Sequence, residues 1–149
     1  MPRYLIAVIL FVISLHGAMA QDIAAMKHKR KLLKGQWQLV KTVNNGTPHD
    51  IGKEEYDAVI TFKCFHKYQE EVIYEGYHWL IKGRWKVYRK RADLELTKLQ
   101  YVYGAAPGAQ TQDIHFSLYQ LDKTRWGGDT QTTAEKIKME YQRIPKKEK

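Results

Sequence analysis

The sequence predicts an all-β domain, and three observations carry that expectation. From Gly35 onward the segments are rich in β-branched and aromatic residues. Within each segment apolar and polar positions alternate, and Gly, Asn, Asp and Pro interrupt the segments at short intervals. Short interruptions favour pairing of neighbours in chain order, which is an antiparallel meander.

Two elements precede the β region. Met1–Arg3 is a short positive start, Tyr4–Leu15 is an apolar run, and Ala18-Met19-Ala20 fits a small-x-small cleavage site before Gln21. The apolar run falls short of the roughly 20 residues that a spanning helix needs. Residues 1–20 are therefore expected to be a cleaved signal peptide, with the product located in the periplasm or outside the cell. Gln21 stands where a bacterial lipoprotein has cysteine, and no later segment is apolar enough to span a bilayer. Residues 21–34 carry Ala24, Ala25, Met26, Leu32 and Leu33 among lysines, which suits a short helix or ordered basic arm.

Eight strands follow, near 35–43, 56–64, 67–75, 77–89, 93–103, 112–122, 124–131 and 136–144. Asn44-Asn45-Gly46 ends the first, Lys90-Arg91-Ala92-Asp93 separates the fourth from the fifth, and Gly104-Ala105-Ala106-Pro107-Gly108 marks the longest clear loop. Period-two alternation assigns an inward set: Trp37 and Leu39; Ile60, Phe62 and Cys64; Val72 and Tyr74; Trp79, Ile81, Trp85 and Val87; Leu94 and Leu96; Ile114, Phe116 and Leu118; Ile137, Met139 and Tyr141. The positions between them are mostly polar, among them Lys63, Glu71, Lys82, Arg84, Lys86 and Lys138. One wet and one dry face through many strands implies a closed barrel or a sandwich. A barrel domain over 35–144 would then leave 145–149 as a basic tail.

Cys64 is the only cysteine, so no intramolecular disulfide is possible and the core must supply the stability. The formal net charge of +9 favours anionic partners, an acidic protein or an anionic envelope surface. Much of it lies in Lys27–Lys31, Lys86–Arg91 and the tail. The interleaved aromatic and basic residues of Trp85–Arg91 also suit nucleic acid, but export disfavours that partner.

The motifs of catalysis are missing. There is no Gly-x-Ser-x-Gly, His-Glu-x-x-His or phosphate-loop glycine pattern, and Ser117 is the only serine after the signal segment. Cys64-Phe65-His66 offers a thiol near an imidazole, without a third orienting group. His49, His66, His78 and His115 are scattered rather than set at zinc-ligand spacing. The expectation is a binding protein with no enzyme activity, no metal and no cofactor.

A resemblance sharpens the fold. Lys34-Gly35-Gln36-Trp37 resembles the Gly-x-Trp signature that opens the first strand of lipocalins and related calycins, after a short helical arm. Tyr141-Gln142-Arg143-Ile144 resembles the end of their last strand, where an arginine crosses the first-strand tryptophan. With Ile60-Thr61-Phe62, Gly83-Arg84-Trp85-Lys86-Val87 and Leu94-Glu95-Leu96-Thr97 between them, residues 32–144 are similar to small lipocalin-like domains of exported bacterial proteins. The chain lacks the disulfides of many secreted lipocalins. The resemblance implies an eight-stranded antiparallel up-and-down barrel closed by Gly35, Trp37 and Arg143. Its expected function is to hold a small apolar or amphipathic ligand, lined by Phe62, Tyr74, Trp79, Trp85, Phe116 and Tyr141. The alternative is a filled barrel, an envelope accessory protein docking on an acidic partner or surface through its basic patches.

Overall fold

The computed structural model describes residues 25–50, 56–88, 93–105, 109–131 and 135–146. The expected signal peptide, Arg89, Lys90 and Arg91 of the second basic cluster, and the tail from Lys147 lie outside the described residues.

A helix, α1, runs over 25–33 and, His28 apart, is built from Ala, Met, Lys, Arg and Leu, which lose little rotamer freedom in a helix. Nine strands follow it: β1 (Gly35–Asn44), β2 (Thr47–Asp50), β3 (Tyr56–Phe62), β4 (Lys67–Tyr74), β5 (Tyr77–Val87), β6 (Asp93–Tyr103), β7 (Ile114–Leu121), β8 (Arg125–Gln131) and β9 (Lys136–Arg143). From β3 to β9 every strand pairs with its sequence neighbours. β1 pairs with β3 through Gly35↔Phe62 to Gln38↔Val59, and with β9 through Trp37↔Arg143 to Asn44↔Ile137. That last ladder closes eight strands, β1 and β3–β9, into the expected antiparallel barrel.

β2 is an addition the alternation does not reveal. Asn45 and Gly46 both take positive φ, 49° and 86°, the two-residue geometry that folds a hairpin back with the twist of its strands. Thr47–Asp50 therefore lies along the second half of β1.

Bulges bend the sheet into closure. Register shifts occur at Leu39/Lys41, Lys82/Arg84 and Leu118/Gln120. At the second, a Cβ on Gly83 would stand 2.8 Å from the Thr97 carbonyl oxygen, so only glycine permits that approach. Across from it Lys98 has a φ of 52°, and the irregularity moves the inward parity of β6 from Leu94 and Leu96 to Leu99.

The two barrel ends differ. Near α1, the interior is filled by Leu33, Trp37, Phe62, Trp85 and Trp126, all essentially without exposure. Each buried tryptophan removes about 200 Å² from water, worth roughly 5 kcal/mol as an upper estimate. Toward the opposite end, Trp79, Ile81, Ile114 and Met139 pack on that core but are only half-buried.

Two members of the expected inward set are corrected. Cys64 is exposed, because the chain leaves the sheet at Lys63 and turns through a single 3-10 turn, Cys64–His66. Tyr74 is 38% exposed, because it is the last residue of β4 at the rim, paired with Tyr77 across a two-residue turn. Ala58, Tyr68, Leu99 and Trp126 join the core in addition.

Candidate functional site

The plugged end is held by a contact between the chain's two extremities. Gly35 starts β1 with a φ of 132°, and a Cβ there would lie 2.5 Å from Arg143 Nη1. Its absence lets the Arg143 guanidinium settle over the Trp37 ring, 4.0 Å from the centroid. Arg143 donates to the carbonyl oxygens of Lys123 (2.6 Å), Lys34 (2.8 Å) and Leu32, which ties β9 to the end of α1 and to the β7–β8 turn. Trp37 Nε1 donates to the Leu33 carbonyl at 2.7 Å. Such an arrangement seals the barrel and offers no reactive group.

Above the seal lies an aromatic cluster with Trp126 at its centre. Tyr141 stacks on Trp126 at 4.2 Å and 8°, while Phe116 (5.7 Å) and Phe62 (6.1 Å) meet it edge-on. Trp85 in turn meets Phe62 at 5.4 Å. Of the six aromatic residues named as a lining, Phe62, Trp85 and Tyr141 are thus taken up in packing and form a floor. Trp79 is half-buried nearer the open end, Tyr74 stands on the rim, and Phe116 belongs to both regions.

The interior becomes reachable where β7 leaves β8. Their pairing starts at Ser117↔Asp129, although β7 begins at Ile114 and β8 continues to Gln131. The parted strands bound a cavity of about 810 Å³, with Ile114, Phe116, Thr130, Ile137 and Met139 among its walls. Apolar inward positions of β7 and β9, with Thr130 of β8 and polar residues such as Asp113, Asp129 and Gln131 beside them, therefore face a space within the usual range of small-molecule sites. The connection from β6 is pinned by Lys98 N donating to Asp113 Oδ1 (3.0 Å) and by Thr111 Oγ1 donating to the Leu99 carbonyl, and its Gln112 and Asp113 form part of the cavity wall.

Polar groups are few on the inward face. Glu70 pairs across the sheet with Ile60 and Ile81, which places its carboxyl inside the barrel. Tyr68 donates to Glu70 Oε2 at 3.0 Å. Burial holds that carboxyl above its ordinary range, and the Tyr68 hydrogen bond offsets part of the effect. Asn44 opposes Ile137 near the open end, and its buried Oδ1 has no hydrogen-bond partner among the described residues. The alternation carried a signal for Glu70, since it shares the parity of Tyr68 and Val72. A lone carboxylate on an apolar face was the feature to notice.

Glu70 gives a pH prediction. A raised folded-state pKa means that the folded barrel binds the proton more tightly than the unfolded chain. The resulting stability is complete below the unfolded carboxyl range and is lost as pH rises through the raised value. Glu70→Gln should therefore stabilise the protein at neutral pH, by roughly 1 kcal/mol, and flatten the pH dependence of its melting temperature above the ordinary carboxyl range. A substitution that lowers the melting temperature at pH 7 would contradict this placement.

The remaining candidates do not assemble into a reactive site. His66 turns its ring to Trp85, 5.6 Å away, rather than to Cys64. His78 meets Glu71 at 2.8 Å and His115 lies 3.4 Å from Asp93, both on the outer face. Among the described residues no three His, Cys, Asp or Glu side chains are grouped to hold a metal ion, and no helix is long and apolar enough to cross a membrane.

No protein-family model matches the chain, and neither does any curated protein. Solved structures do. A redesigned β-barrel is 17% identical with a TM-score of 0.52, covering 78% of this chain and 96% of its own. The structure of EF1p2_mFAP2b bound to DFHBI is 14% identical with a TM-score of 0.50, covering 80% of this chain and 99% of its own. The likeness is one of fold, a barrel of closed antiparallel strands.

Proposed function

We propose that the chain is an exported, lipocalin-like binding protein, matured by loss of residues 1–20, that holds a small apolar or amphipathic molecule at the open end of its barrel. The observation that carries this reading is the parting of β7 from β8. It leaves about 810 Å³ against the inward side chains Ile114, Phe116, Ile137 and Met139. Burying such surface under a ligand gains roughly 25 cal/mol per Å². Thr130, Asp129 and Gln131, which line the same cavity, supply polar contacts that would orient an alcohol or amine end of the ligand. The aromatic floor sets the depth, so a compact molecule suits the site better than a long chain lying fully inside. That a barrel of the same fold is bound to DFHBI supports reading this one as a binder of small molecules.

The test is a titration with N-phenyl-1-naphthylamine, a compact uncharged apolar amine, at low and high salt. Binding should quench tryptophan emission and change less than about twofold between the two salts, because hydrophobic transfer is not screened. Ile137→Glu should weaken it at least tenfold by placing a charge on the cleft wall. Absence of quenching at both salts would defeat the proposal, and intact mass of the exported protein checks the loss of residues 1–20.

A further inference from the structure

The outside of the plugged end carries an arrangement that ligand holding does not use. Phe65, in the β3–β4 turn, is 86% exposed. It and His66 have φ of 56° and 60°, a left-handed conformation that Gly and Asn adopt more readily than Phe. The turn is nevertheless pinned on both sides. Lys63 N donates to the Lys67 carbonyl (2.8 Å), Trp85 Nε1 donates to the Lys63 carbonyl (3.1 Å), and the His66 ring packs on Trp85. The ring of Phe65 is thus held out in water by a rigid base.

Cations gather around it. Lys63 and Lys67 flank the turn, and Arg84 is the cross-strand partner of Lys67. Arg30 and Lys34 come from α1 and its end. With burial as the larger cause, Arg30, Arg84 and Lys34 hold the His66 imidazole below its ordinary pKa, which places those three charges close to the turn. Among the described residues Lys34, Lys63, Lys67 and Arg84 form no ion pair. The nearby carboxylate on β6, Glu95, is turned to Tyr88, whose hydroxyl donates to it at 2.5 Å.

We propose that this face, Phe65 ringed by Arg30, Lys34, Lys63, Lys67 and Arg84, docks the protein on an anionic lipid surface. Anionic headgroups answer the one-sign charge, and the acyl boundary beneath them receives the apolar ring. An acidic protein would satisfy the charges alike, but a single protruding phenyl ring gains only where an apolar layer lies directly under the negative one. The docking face lies at the end opposite the cleft, so the cleft stays open to solution when the protein is bound.

The experiment uses the chain from Gln21, the matured form proposed above, and vesicles of phosphatidylcholine with and without phosphatidylglycerol. Cys64 is the only cysteine and is exposed, so a polarity-sensitive thiol fluorophore placed there reports the turn itself. Phosphatidylglycerol vesicles should bind the chain and shift the probe to the blue, and the affinity should fall about tenfold or more as salt screens the contact. Phe65→Asn suits the left-handed backbone and keeps the fold, yet should weaken binding about tenfold and abolish the blue shift. Lys63→Glu with Lys67→Glu should remove the preference for phosphatidylglycerol. Equal binding of both vesicle types, no blue shift, or an unchanged Phe65→Asn variant would each overturn the proposal. So would capture by soluble polyglutamate as tight as that by vesicles, which would mark the face as an acidic-protein site.

Discussion

Replacing Trp126 by alanine is expected to cost about 3–5 kcal/mol, because the substitution empties the centre of the aromatic cluster. Tyr141 would lose the ring it stacks on at 4.2 Å, and Phe62 and Phe116 would lose a common edge contact. Trp126→Phe should cost much less, near 1–2 kcal/mol, since Trp126 Nε1 has no hydrogen-bond partner among the described residues and none is lost. Denaturant unfolding of both variants separates the two cases. The larger loss also carries a functional consequence. Phe116 stands between Trp126 and the cleft, so the alanine variant should deepen the site and recover part of its stability when an apolar ligand such as benzene is added. Equal destabilisation by Phe and Ala would mean that the hole closes by collapse and that the cluster is no floor.

The second large effect concerns the seal. Trp37 is fully buried and carries the guanidinium of Arg143 on its face at 4.0 Å. Trp37→Ala should cost about 3–5 kcal/mol, and Arg143→Ala about 2–3 kcal/mol because three carbonyl oxygens lose a charged donor together. A double-mutant cycle should return a coupling of about 1–2 kcal/mol, the range of a partly desolvated cation on an indole ring. Additive losses would remove the seal as a unit and with it the strongest point of likeness to the calycins.

Much of the barrel was legible because alternation is a local signal. Ile60-Thr61-Phe62 or Trp85-Lys86-Val87 announces a half-buried strand within three residues, and eight such segments joined by short turns leave few topologies. Where the signal was interrupted the structure was hidden. Gly127-Gly128-Asp129 breaks the pattern beside Trp126, so the central core residue carried no periodic neighbour. Cys64 seemed to extend β3 because Phe62 and Cys64 keep the period, and only the left-handed φ of Phe65 and His66 turns the chain away. β2 owes its place to the turn before it and shows no pattern of its own. Of the expected ligand lining, Phe62, Trp85 and Tyr141 serve as floor because large inward aromatics fill a narrow barrel before they can line it. The cleft was least legible of all. It depends on where the pairing of β7 with β8 stops, at Ser117↔Asp129, and that is a property of two strands and not of any residue.

The ladder between β1 and β9 also orders events in time. Trp37 pairs with Arg143 and Asn44 with Ile137, so one side of the first strand finds its partner only in the last. During synthesis β1 and β8 are left as open edges until β9 has emerged, and a meander of hairpins must wait, unclosed, for its final segment. Pairing across so long a stretch of chain is expected to make closure slow relative to the hairpins. A chain cut short before Lys136 would have every other strand of the barrel and no means of becoming one.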